Sequence, residues 1–195
     1  RHLPAGPAVV LGNSFAAGSA LWAAQQAPDL VRAAVLLGPV VRDGQPSWFA
    51  RAALAAGFAG PSRVWFWTAF WNSLFPSRKP ADHAQARAAL ARNLREPGRM
   101  AALQAMIGLS KRRTEAMPAQ SRVPALVVMG TRDPDFPAPE AEARWLAGVL
   151  RAPVVIVPEA GHYPHLEMPE AVEPALLSFL EELPRSPCLS EQDRA

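Results

Sequence analysis

Apolar residues in this chain fall into two patterns. Four short unbroken runs, Ala8–Leu11, Ala33–Leu37, Ala125–Met129 and Val154–Val157, predict strands covered on both faces, as in a parallel sheet. Helical spacing occupies Phe15 to Ala27, with Leu21 and Trp22 on its inner side. Pro28 disfavours a helical residue before it and stops that helix. The first two strands with the helix between them form a βαβ unit, right-handed by rule. A later helix has Pro139 in its first turn, Glu140 and Glu142 near its positive end, and Trp145, Leu146, Val149 and Leu150 facing inward. A last helix is predicted over 169–183, where Pro174 should kink it or delay its start.

The interval from Gly38 to Pro124 is too long for one crossover helix. It reads as an inserted helical layer with pieces near 46–58, 62–75, 81–95 and 98–116. Gly60-Pro61, the segment from Pro76 to Pro80, and Pro97-Gly98 separate them. Asp82 is a candidate cap for the third piece, and Pro118 closes the fourth. The second piece, Val64 to Phe75, is apolar nearly all the way round. Four readings compete for it: burial between the insertion and the main body, a wall of an apolar substrate pocket built from Trp65, Phe66, Phe70 and Trp71, a partner or membrane surface, and a dimer interface. It is too short to span a bilayer. The expected organisation is a core of residues 1–42 and 120–184, a helical insertion over 43–119, and a loose tail over 185–195. Residues 1–7 read as irregular, and no internal repeat is visible.

Composition narrows the function classes. Half of the 195 residues are apolar and 19% are charged, which describes a globular chain with a real core. The net charge of +3 is too mild to imply nucleic acid. The dense basic cluster Lys111-Arg112-Arg113 reads as a solvated helix end. The single cysteine, Cys188, lies in the polar tail, which rules out an internal disulfide framework and argues against thiol catalysis. No signal peptide and no run of membrane length is visible, and the expected location is cytoplasmic. The chain begins with Arg1 rather than methionine.

Candidate chemistry starts at Val9-Val10-Leu11-Gly12-Asn13-Ser14-Phe15-Ala16-Ala17-Gly18. An apolar run stops at a glycine, a serine follows, and small residues lead into a helix. A serine at such a corner is either an ordinary N-capping turn residue or a nucleophile beside the positive end of a helix. Asp133 and His162 decide between these readings. Each, like Ser14, sits just past the C-terminal end of a predicted parallel strand, and in an open α/β sheet those ends share one edge. A serine hydroxyl needs a base to take its proton, an imidazole can take and return it, and a carboxylate fixes the imidazole tautomer. The order is serine, aspartate, histidine, with spacings of 119 and 29 residues. Asp135 remains the alternative acid, or else a residue that caps the loop or lines the site. His162 is preferred to His165 because it follows Gly161, and His165 reads as packed or on the surface. His2 and His83 lack a motif and read as solvated. The Phe15 N–H is the candidate oxyanion donor.

On Gly12-Asn13-Ser14-Phe15-Ala16, Gly130-Thr131-Arg132-Asp133-Pro134-Asp135-Phe136-Pro137 and Gly161-His162-Tyr163-Pro164-His165-Leu166-Glu167-Met168-Pro169-Glu170, the chain resembles the α/β-hydrolase fold superfamily. The segments look like its nucleophile elbow, its acid turn and its histidine loop, and the helical insertion falls where the family carries a cap. The resemblance implies a partial α/β-hydrolase fold of about four parallel strands flanked by helices. It also implies the triad Ser14, Asp133 and His162, with Asp133 at the family's acid position. The implied activity is that of a serine hydrolase forming an acyl-enzyme on a small apolar ester or related carbonyl substrate. No metal and no organic cofactor is expected, nor a nucleic-acid partner. Serine at the elbow, where other branches have aspartate, argues against epoxide-hydrolase and haloalkane-dehalogenase chemistry. An acyltransferase of the same fold, and a catalytically impaired fragment or binding module, are the competing expectations. Two departures stand out. The elbow's usual second glycine is Ala16. The family's earlier strands, with the loop giving a second oxyanion donor, have no counterpart before Ala8. On that reading Ala8–Leu11 is an apolar sheet edge, and poor solubility or weak activity is expected of this chain alone.

Overall fold

The structure is a computed structural model that describes residues 7–44 and 48–184. His2, Cys188, the predicted tail and residues 46–47 of the first insertion helix lie outside the described residues. Strands β1 (Ala8–Asn13), β2 (Val31–Leu37), β3 (Ala125–Gly130) and β4 (Val154–Val157) form one sheet in that order, every pair parallel. Helix α1 (Ala16–Gln26) joins β1 to β2. Between β2 and β3 lie α2 (Trp48–Phe58), α3 (Arg63–Ser73), α4 (His83–Arg95), α5 (Arg99–Ile107) and α6 (Arg112–Ala116). Helix α7 (Pro139–Leu150) joins β3 to β4, and α8 (Pro164–Glu167) and α9 (Pro169–Glu182) follow.

The unbroken apolar runs do what a doubly covered parallel sheet requires. Ala34, Leu36, Val127 and Met129 face one side, where Ala17 and Leu21 of α1 and Leu146 of α7 cover them. Ala33, Val35, Leu126 and Val128 face the other, under Val172 and Phe179 of α9. Among the described residues β1 pairs on one side only, and Leu11 is 56% exposed there.

Several local expectations change. The predicted helix over 98–116 is two helices. The chain breaks after Gly108, and Asp43 holds the new turn by accepting the Lys111 N–H at 2.9 Å and the Ser110 hydroxyl at 3.0 Å. Asp82 precedes α4 but makes no capping bond through its side chain. Pro174 lies inside α9, which begins at Pro169 without delay. Pro174 and Glu170, the residue whose carbonyl it leaves unpaired, both face solvent, so water can satisfy that carbonyl. Trp22 is not on the inner side of α1. It is exposed, with the Arg113 guanidinium 5.4 Å from its ring centre. His83 is buried, stacked on Trp71 at 4.9 Å and edge-on to Phe75 at 5.0 Å, and burial lowers its pKa. No helix among the described residues is long and apolar enough to cross a membrane.

Candidate active site

The corner after β1 is built by exclusion. A side chain at Gly12 would put its Cβ 2.7 Å from the Ala17 Cα, so only glycine lets α1 start this close to the strand. Ser14 then takes φ 57°, a left-handed conformation that costs a non-glycine residue about 1–2 kcal/mol. Hydrogen bonds hold it there. The Ser14 N–H donates to Leu37 O at 2.9 Å, and the Ser14 carbonyl accepts from Ala17 N at 3.1 Å and Val40 N at 3.2 Å. Phe15 follows at the N-cap of α1, where backbone N–H groups lack helical partners. The Asn13 amide donates to Leu37 O at 2.9 Å and to His162 O at 3.2 Å, tying the first corner to the histidine loop.

Asp133 and His162 meet beyond β3 and β4. Asp133 Oδ2 lies 2.7 Å from His162 Nδ1, both residues almost fully buried, and Asp133 Oδ1 accepts the Asp135 N–H at 3.0 Å. Gly38, at φ +49°, makes room for the pair. A Cβ there would lie 2.9 Å from His162 O and 3.3 Å from Asp133 Oδ2. The other ring nitrogen, His162 Nε2, stands 3.5 Å from Asp135 Oδ2, and the Asp135 side chain is 25% exposed. The imidazole therefore lies between two carboxylates. Burial, the largest influence, opposes its protonation, but the Asp133 hydrogen bond and the charges of Asp133 and Asp135 together outweigh it and raise its pKa. Asp135 is raised as well, chiefly by burial, with Asp133 adding to the shift and His162 and Lys111 opposing it.

A further carboxylate sits beneath the histidine loop. Glu167 is 1% exposed and accepts the backbone N–H groups of Gly161 at 2.6 Å, Ser77 at 3.2 Å and Arg78 at 3.4 Å. Burial raises its pKa against the pull of those three donors. The chain after α3 is thereby strapped to the loop. The His162 N–H donates to Leu74 O at 3.0 Å, the Ser77 hydroxyl donates to Glu159 O at 2.6 Å, and Phe75 stacks on Tyr163 at 4.8 Å. Sequence reasoning gave Glu167 no role. Its signal is a carboxylate five residues after the histidine, followed by Met-Pro.

A cavity of about 500 Å³ joins these pieces. Ser14, Phe15, His162 and Tyr163 line it from the sheet edge, and Trp67, Phe70, Trp71, Leu74, Met106, Ile107 and Lys111 from the inserted helices. Of the four aromatic residues named from the sequence, Phe70 and Trp71 line this cavity. Trp65 and Phe66 do not: Trp65 is 68% exposed on another groove, and Phe66 packs edge-on against Phe58 at 5.4 Å. The face toward Ser14 carries residues 67, 70, 71 and 74, one helical stripe, so Trp67 takes the place expected of its neighbours. Lys111, expected in solvent, lines the cavity with its side chain 15% exposed. Asp133, Asp135 and His162 also form the one cluster among the described residues with metal-ligating geometry. Its His162 Nδ1 is already engaged by Asp133, which favours the hydrogen-bonded pair over a metal centre.

Over residues 1–175 the chain matches the profile of the alpha/beta hydrolase family. Similar solved structures include the 2-hydroxy-6-oxo-6-phenylhexa-2,4-dienoate hydrolase of Rhodococcus sp. strain RHA1, with a TM-score of 0.72 and 16% identity over 90% of this chain and 64% of that one. A thermophilic esterase from Thermogutta terrifontis follows at 0.65 and 24%, covering 91% and 66%. A bromoperoxidase from Bacillus anthracis matches at 0.70 and 15%, covering 89% and 67%. At these identities the likeness is one of fold. The chain spans less than two thirds of the length of the Rhodococcus hydrolase.

Proposed function

We propose, for a chain that belongs to the alpha/beta hydrolase family, that it is a serine hydrolase acting through an acyl-enzyme on an apolar ester or related carbonyl substrate. Ser14 Oγ attacks the substrate carbonyl while His162 Nε2 takes its proton. Asp133 holds Nδ1–H and stabilises the imidazolium. The Phe15 N–H donates to the oxyanion at the positive end of α1. Collapse of the tetrahedral intermediate expels the alcohol, protonated by His162. Water repeats the sequence to release the acid and restore Ser14. In this reading the helices between β2 and β3 act as a cap whose aromatic stripe holds the apolar part of the substrate. The hydrolases among the structural neighbours agree with it.

The observation that carries the proposal is the buried 2.7 Å pair of Asp133 and His162 on the same cavity as a strained, positive-φ serine. A fluorophosphonate probe tests it. One adduct per chain is expected in the wild type, located on Ser14 by peptide mapping, with none in Ser14→Ala. Folded wild-type protein that stays unlabelled would refute the reading.

A further inference from the structure

We propose that Lys111 anchors an anionic group on the substrate, so that the cavity selects apolar acyl chains bearing a carboxylate remote from the scissile bond; this rests on the hydrolase reading above. The break between α5 and α6 puts Lys111 there. Asp43 accepts its backbone N–H at 2.9 Å and so fixes the peptide from which the side chain extends. The ammonium then lies 5.8 Å from the centre of the Phe15 ring, next to the elbow. Its side chain is 15% exposed, yet its one hydrogen bond among the described residues is a long one, 3.4 Å to Leu109 O. The Asp43 carboxylate forms an ion pair with Nζ at 3.7 Å, longer than a hydrogen bond, and its other oxygen accepts the Ser110 hydroxyl, so the pair leaves donors of the ammonium open. An ammonium has three donors, and burying them short of partners costs free energy that a ligand carboxylate would recover.

The surroundings orient such a ligand. Apart from Lys111 and His162, the cavity wall carries no basic or acidic residue, and aromatic and aliphatic groups dominate it. The carboxylates of Asp133 and Asp135 flank the His162 ring, one at each nitrogen, and repel a ligand anion from that end of the cavity. A carboxylate on the substrate therefore points to Lys111, leaving the acyl carbonyl for Ser14. The inserted segment reinforces the preference at longer range. Residues 43–119 hold eleven Lys and Arg against four Asp and Glu, which draws anions toward this side of the molecule.

The test compares mono-p-nitrophenyl esters of linear dicarboxylic acids, four to eight carbons long, with neutral p-nitrophenyl esters of matched length. The ratio of kcat/KM for acid over neutral ester is measured in wild type, Lys111→Met and Lys111→Arg. At the best chain length the ratio is expected to exceed one in wild type. It should fall roughly tenfold or more in Lys111→Met, as for loss of a charge-assisted hydrogen bond, and largely return in Lys111→Arg. An unchanged ratio, or equal losses on both substrates, would overturn the anchor. A binding arm separates this from failure of the hydrolase reading. In a Ser14→Ala background, hexanoate and hexanamide are titrated against the fluorescence of Trp67 and Trp71. Hexanoate should bind more tightly only when residue 111 is basic. If fluorophosphonate leaves Ser14 unlabelled but this preference appears, the hydrolase reading falls and the anchor stands. Equal binding of the two ligands refutes the anchor alone.

Discussion

In the proposed mechanism, protonation of His162 sets the pH at which Ser14 can be activated. The imidazole must be neutral to take the serine proton, and its pKa is raised. Activity should therefore fall as pH drops through that raised value. Asp135→Asn removes one of the two charges that raise it, so the acid limb of kcat/KM should move to lower pH, and an NMR titration of the His162 ring should show the same shift. A limb that stays in place would exclude Asp135 as a tuning group. Asp133→Asn should lower kcat by roughly 10³–10⁴ because it removes the group that fixes the tautomer. The sign for stability follows from the same shift. Protonated His162 favours the fold, a contribution present below the ordinary imidazole pKa and lost as pH rises through the folded value. Glu167 acts by position. Glu167→Ala leaves three backbone donors without their acceptor and should cost about 2–4 kcal/mol in denaturant unfolding, with Glu167→Gln costing less. The convergence of Ser14, Asp133 and His162 at one sheet edge was legible because each follows an apolar strand. Glu167 was not, since its partners are backbone N–H groups brought in from residues 77 and 78, and a sequence does not display such a convergence.

Helix α3 shows how far an element can be read from its pattern. Apolar residues nearly all the way round announce a helix and its ends but conceal its phase. The sequence could name four aromatic residues and not which two face Ser14. The structure resolves the phase through Gly57 and Phe58 of α2, whose contact with Phe66 turns that ring away from the cavity. Trp67→Ala should weaken substrate binding, seen as a raised KM. Trp65→Ala should change unfolding free energy by no more than about 0.5 kcal/mol, because the ring is largely in solvent. The strands were read closely because a buried parallel sheet leaves no polar alternation to interpret. The break at Gly108 was missed because the capping carboxylate, Asp43, comes from a distant segment. At the turn after β2, Gly38→Ala forces a Cβ against the Asp133–His162 pair at a positive φ. It should lower both kcat and Tm, whereas a loss of Tm alone would separate the turn from the pair.

At the scale of the whole molecule, the sheet order β1-β2-β3-β4 follows the chain, and β1 has one described neighbour. A parallel strand with no second neighbour among the described residues, and with Leu11 exposed on that side, is a template for another strand. Leu11→Lys should reduce self-association in sedimentation velocity if that edge drives it. The same order has a consequence for synthesis. Asn13 holds the carbonyl of His162 across 149 residues of chain. As the polypeptide leaves the ribosome, the serine corner emerges well before its base, and contacts so distant in sequence form last. In the proposed mechanism Ser14 has no base throughout that interval, and the chain stays unreactive toward its neighbours until its own fold has closed around His162.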